Sequence, residues 1–103
     1  MKKTKIIKRL KQTTDFLNSP PLTTRHWADN SFYLLYRDKW TKALSDAMDA
    51  LSQHRPAKKK TVKYLIQLED FLFDMSASEE CTDEDYEKWS PALLDAADKL
   101  SKI

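Results

Sequence analysis

The 103-residue chain contains no glycine. Average usage of about 7% would give roughly seven in a chain of this length. The P-loop, the dinucleotide-binding fingerprint, the hydrolase nucleophile elbow and the EF-hand loop each need a residue without a Cβ, so all four are excluded. The Asn-Gly and Asp-Gly turns of tight β-hairpins are missing for the same reason. Cysteine is almost absent as well. Cys81 stands alone, no disulfide can form within the chain, and a reducing cytoplasm is the expected location. No run approaches the ~18–20 apolar residues of a membrane-spanning helix, and the basic start MKKTKIIKRLKQ leads into no apolar stretch of the secretory type. What survives these exclusions is an all-helical chain with turns made from Pro, Ser, Thr, Asn and Asp.

What the chain has in quantity is charge. Charged residues make up 33% and hydrophobic ones 41%, which suits one modest core in a single helical domain, residues 1–103. The net charge of +2 hides a division. Residues 1–63 carry 15 Lys/Arg against 5 acids, and residues 64–103 carry 3 against 11. Between Glu69 and Glu87 there are nine acids and no base. Such asymmetry signals either a charged interaction face or two halves that neutralise each other on folding.

Periodicity predicts four helices. The first spans about Lys3 to Asn18, ends before Ser19-Pro20-Pro21, and has a narrow apolar side of Ile6, Leu10 and Leu17 with Ile7 and Thr14 alongside. The second begins at a cap among Asp29–Ser31 and reaches His54, with Pro56 beyond it. Its broad face is aromatic at first (Phe32, Tyr33, Tyr36, Trp40) and alanine-rich later, while Lys42 and Asp46 fall on the opposite side. The third covers about Thr61 to Met75. It is apolar nearly all round except for a stripe of Lys63, Gln67, Asp70 and Asp74, so it is central or half-buried in a partner. The fourth opens at Thr82-Asp83-Glu84-Asp85 and keeps strict spacing through Tyr86, Trp89, Leu93, Ala96 and Leu100. Because that phase runs through Ser90-Pro91, it reads as one kinked helix or two nearly coaxial ones. The fold expected is all-α: a compact three- or four-helix bundle, mostly antiparallel, with the fourth helix kinked or split at Pro91.

Catalytic chemistry finds little material. His26, His54 and Cys81 lie in three different connections, and no Ser or Cys stands in a nucleophile context. No HExxH, CxxC or Glu-x-x-His spacing occurs, so neither a metal site nor a cofactor is expected. Two charged residues fall on apolar arcs instead, Arg37 on the second helix and Glu69 on the third. An unpaired buried charge costs several kcal/mol, so the pattern predicts a structural Arg37–Glu69 ion pair, with snorkelling to solvent as the alternative.

Function is therefore expected to be non-enzymatic: an adaptor, inhibitor or immunity-type module that binds a protein partner, itself basic in the simplest case. The contact is expected on the acidic connection between the third and fourth helices, at Asp74, Glu79, Glu80, Asp83, Glu84 and Asp85. The alternative is nucleic-acid binding, with phosphates held by Lys2, Lys3, Lys5, Lys8, Arg9, Lys11, Lys58, Lys59 and Lys60. A homodimer is a further use for the surplus apolar surface of the third helix.

Overall fold

The structure is a computed structural model that describes residues 2–18, 31–77 and 83–102, with side chains described over 2–18, 35–74 and 84–102. Four helices account for nearly all of it: α1 (Lys3–Asn18), α2 (Ser31–Gln53), α3 (Lys59–Ala77) and α4 (Asp83–Lys102). No strand occurs among the described residues.

Each helix buries one stripe. α1 contributes Ile6, Leu10, Thr13 and Leu17 at helical spacing, and the Thr13 hydroxyl donates to the Arg9 carbonyl at 2.9 Å, so the one polar group on that stripe is satisfied. Trp40, Leu44, Ala47, Ala50 and Leu51 of α2 join Leu65, Leu68, Phe71 and Leu72 of α3 and Trp89, Leu93, Ala96, Ala97 and Leu100 of α4 in a single cluster. α2 and α4 each pack against both α1 and α3, while α1 and α3 do not meet. α2 and α4 also touch across the centre, where their alanines leave room for close approach. The Cα radius of gyration is 13.0 Å, as expected for about 100 compactly folded residues. Among the described residues no buried side-chain nitrogen or oxygen lacks a hydrogen bond.

The turn between α2 and α3 compensates for the missing glycine. The Arg55 N–H donates to the Ala50 carbonyl at 3.0 Å and the His54 N–H to that of Leu51 at 3.4 Å, the bond pair of a Schellman cap. The residue such a cap holds in the left-handed region is usually glycine. Here it is His54, at φ 52°. Four residues on, the Lys58 carbonyl accepts from both Thr61 and Val62 (3.0 and 3.3 Å), which starts α3 at Lys59, two residues earlier than its apolar pattern suggests. Pro91 lies inside α4 and has no N–H to give the Glu87 carbonyl one turn back.

Candidate functional site

α3 sits between two seams, and their polar chemistry differs. In the seam with α2, Trp40 is fully buried and its Nε1 donates to the Gln67 Oε1 at 3.0 Å. Gln67 thus belongs to the packing rather than to a solvated stripe. The Trp40 ring lies 4.8 Å from that of Phe71 and 5.7 Å from that of Tyr36.

In the seam with α4, the Tyr86 hydroxyl and the Ser90 hydroxyl both donate to the Glu69 Oε1 at 2.7 Å. This corrects the expected Arg37–Glu69 ion pair. Glu69 leans towards α4, where two neutral hydroxyls one turn apart satisfy it, and Arg37 stays partly exposed with its Nε 3.7 Å from Asp38. A helical wheel fixes the angle of a side chain and not which of two neighbours it faces, and α3 has one on each side. Burial pushes the Tyr86 phenol above its usual value. The hydrogen bond to Glu69 and the charges of Glu69 and Asp70 act in the same sense, and the Ser90 hydroxyl opposes them.

Outside this seam α3 leaves apolar surface uncovered. Ile66 is 47% exposed and Phe73 is 55% exposed, and Leu94 of α4 is 45% exposed. Phe73 meets Tyr86 in a T-shaped contact, at 5.8 Å between centroids. Ile66 stands one turn before Glu69 on α3, and Leu94 one turn beyond its partner Ser90 on α4. Asp70, one turn from both Ile66 and Phe73, is exposed, as are Asp74 and Glu87, and these acids form a rim that also carries Lys63, one turn before Ile66. Of the acidic set read from the sequence, Asp74 lies on this rim. Glu84 is exposed and paired with Lys88 at 3.0 Å, and Asp85 is half-buried. Asp83 begins α4, its side chain outside those described, and Glu79, Glu80, Cys81 and His26 lie outside the described residues altogether.

The basic set divides between two places. Lys2, Lys3, Lys5, Lys8 and Lys11 are exposed along α1, while Arg9 is half-buried and donates to the Gln12 Oε1 at 3.0 Å. The start of α1 meets the ends of α2 and α4: Lys3, Leu51, His54, Lys99 and Lys102 line one cavity of about 430 Å³. Lys58 and Lys60 face a second cavity, of about 280 Å³, between α2 and the start of α3. Lys39 and Lys42 of α2 line the same cavity, and neither is among the phosphate-binding residues expected from the sequence. Their signal was the spacing of three, which puts two ammoniums on one turn-to-turn row of α2.

The wall of that second cavity carries Asp46. It accepts from the Thr61 hydroxyl at 2.8 Å and from the Arg55 Nη2 at 3.2 Å, with Asp49 a further 3.9 Å contact of the same guanidinium. The Thr61 bond holds the Asp46 carboxyl below the ordinary carboxylate range, helped by Arg55 and Lys58 and opposed by partial burial.

Comparison with protein-family models, with curated proteins and with solved structures yields no match. The residues alone carry the functional argument. Among the described residues no three His, Cys, Asp or Glu side chains converge as metal ligands, and no helix is long and apolar enough to cross a membrane.

Proposed function

We propose that this protein is a non-enzymatic interaction module, a mostly antiparallel helical bundle that docks a basic protein partner on the face shared by α3 and α4. The observation that carries this reading is the exposure of Ile66, Phe73 and Leu94 within a rim of Asp70, Asp74 and Glu87. Scattered exposed apolar residues are ordinary, whereas several on one face inside a polar rim are the signature of a contact surface. A basic amphipathic helix fits it: the apolar stripe covers Ile66 and Phe73, and flanking Lys or Arg side chains meet the carboxylates. Glu79, Glu80, Asp83, Glu84 and Asp85 extend the same charge towards the start of α4. Two finer features of the fold belong to the proposal. Neighbouring helices run in opposite directions, supported by the pairing of Phe73 and Glu69 with Tyr86 and Ser90, and α4 bends at Pro91, supported by its missing N–H. A cytoplasmic location is part of the same reading and rests on the lone Cys81.

The test is quantitative recovery of partners from the source cell. Phe73→Ser combined with Asp70→Asn and Asp74→Asn is expected to lower recovery at least tenfold relative to wild type, while Lys5→Gln with Lys8→Gln leaves it unchanged. Equal recovery by all three proteins overturns the reading. A second reading, phosphate contacts along a nucleic acid, draws on one observation: the fold gathers Lys3 with Lys99 and Lys102 beside the exposed Lys2 and Lys5, joining cations that are far apart in sequence.

A further inference from the structure

We propose that the cavity between α2 and the start of α3 binds a small polyvalent phosphate, held by Lys39, Lys42, Lys58 and Lys60. This site is separate from the α3–α4 face and from the lysines of α1, and the proposal rests on neither reading above.

Four lysines line one cavity of about 280 Å³. Lys39 and Lys42 come from successive turns of α2, and Lys58 and Lys60 come from the segment that opens α3. The two pairs thus come from the two segments that enclose the cavity. Like charges gathered around one concavity repel one another and focus a positive potential into it, unless the wall supplies carboxylates. Among the described residues the wall supplies one carboxylate, Asp46, and that charge is already engaged by the Arg55 guanidinium and the Thr61 hydroxyl. Set against four lysines, one carboxylate that is already engaged leaves the cavity with a surplus of positive charge.

Two of them are also seated. The Lys39 ammonium stands 5.1 Å from the centre of the Tyr36 ring and that of Lys60 stands 5.8 Å from the centre of Tyr64. Contact with a ring face restricts an otherwise mobile stem while leaving the N–H groups free to donate. The Tyr36 ring is itself stacked on the fully buried Trp40, which ties that seat to the core.

The chemistry of the donors sets the class of ligand. Lysine binds as a point charge and matches phosphate oxygens without the planar fork that a carboxylate or guanine edge exploits. Four such charges call for an anion carrying several. Ligand pockets commonly run from about 300 to 1,000 Å³, so this cavity of about 280 Å³ falls just below that range and suits a phosphoanhydride chain of two or three units. A duplex, which spreads its phosphates along an open surface, does not enter it. The chain reaches the cell from two sources, as free oligophosphate or as the tail of a nucleotide, and the chemistry recognised is the same.

Titration calorimetry at low salt with inorganic triphosphate tests the site. Wild type is expected to bind. Lys42→Gln with Lys60→Gln, two exposed changes that leave the core untouched, is expected to weaken binding at least tenfold. Lys5→Gln with Lys8→Gln removes the same charge from α1 and is expected to change affinity less than twofold. Circular dichroism of both variants confirms an unaltered fold. Equal weakening in the two variants reduces the effect to net charge and overturns the proposal, as does the absence of triphosphate binding by wild type or a duplex that binds where triphosphate does not. Adenosine triphosphate separates the sources. Affinity equal to that of inorganic triphosphate shows that the chain alone is recognised, and higher affinity identifies a nucleotide; both support the site.

Discussion

Two carboxylates, one beside each seam of α3, show how the same helix is fastened by opposite means. Asp46 accepts two hydrogen bonds, one of them from a cation, Arg55. Glu69 accepts two as well, both from neutral hydroxyls, and no cation lies within ion-pair distance of it among the described residues. At Asp46 the negative charge is therefore offset where it stands. At Glu69 it is solvated by Tyr86 and Ser90 without being cancelled, and the surrounding face carries more carboxylates. The α2–α3 side of the molecule ends up with surplus lysine and the α3–α4 side with surplus acid. Each proposed contact lies on the side where its charge is left over.

The largest difference is expected in how much each fastening is worth. Hydrogen bonds to a charged group contribute about 1.5–3 kcal/mol when they are sheltered. Tyr86→Phe and Ser90→Ala are each expected to cost about 1.5 kcal/mol or more in denaturant unfolding, and together to cost less than the sum of independent bonds, because they share one oxygen. Arg55→Gln on the other side breaks a largely solvent-screened pair and is expected to cost under about 1 kcal/mol. Costs of the reverse order would show that the cation, and not the pair of hydroxyls, holds α3 in place.

The second difference concerns pH, and it separates the seams by sign. The Asp46 carboxyl titrates lower in the folded chain than its ordinary value, so its contribution is present above about pH 4 and is lost as the pH falls through the folded-state value. The Tyr86 phenol titrates higher when folded, so its contribution is fully present below about pH 10 and is lost as the pH rises through the folded-state value. Melting temperatures across the acid and alkaline limbs are expected to show that Asp46→Asn flattens only the first and Tyr86→Phe only the second. A variant that altered the limb assigned to the other would contradict the division.

Much of this molecule was legible in its sequence, and the exceptions share a cause. α1 starts and stops where its pattern and the Pro20-Pro21 stop place it, because a helix followed by prolines has one way to end. The core stripes of α1, α2 and α4 follow from spacing alone, since one face of each meets the others. α3 is the element that spacing described least well. Its neighbours flank it on two sides, so an apolar position on it, such as Ile66 or Phe73, is exposed whenever it points between them and away from the centre. The same geometry sent Glu69 to Tyr86 and left Arg37 with Asp38. Lys42 and Asp46, on the polar side of α2, became walls of a cavity because the segment from Arg55 to Thr61 folds back over them. That return is tertiary, and no period of 3.6 encodes it.

The smallest effect is expected at the residue that produces this return. His54 holds the left-handed position of the cap that ends α2, and from there the chain brings Arg55 to Asp46 and Lys58 to the cavity. A residue with a Cβ in that region costs roughly 1–2 kcal/mol relative to its preferred conformations, and glycine avoids that cost. Part of the saving is returned through the greater freedom of glycine in the unfolded chain. His54→Gly is therefore expected to raise stability by about 0.5–1 kcal/mol in denaturant unfolding, and His54→Ala to give no such gain. If the turn alone sets the α2–α3 side, the glycine variant keeps the Asp46 acid limb unchanged, because the backbone bonds from Arg55 to Ala50 and from His54 to Leu51 need no side chain at position 54. A shifted acid limb in that variant would instead show that the side chain at position 54 bears on Asp46, and the α2–α3 side would then depend on more than the turn.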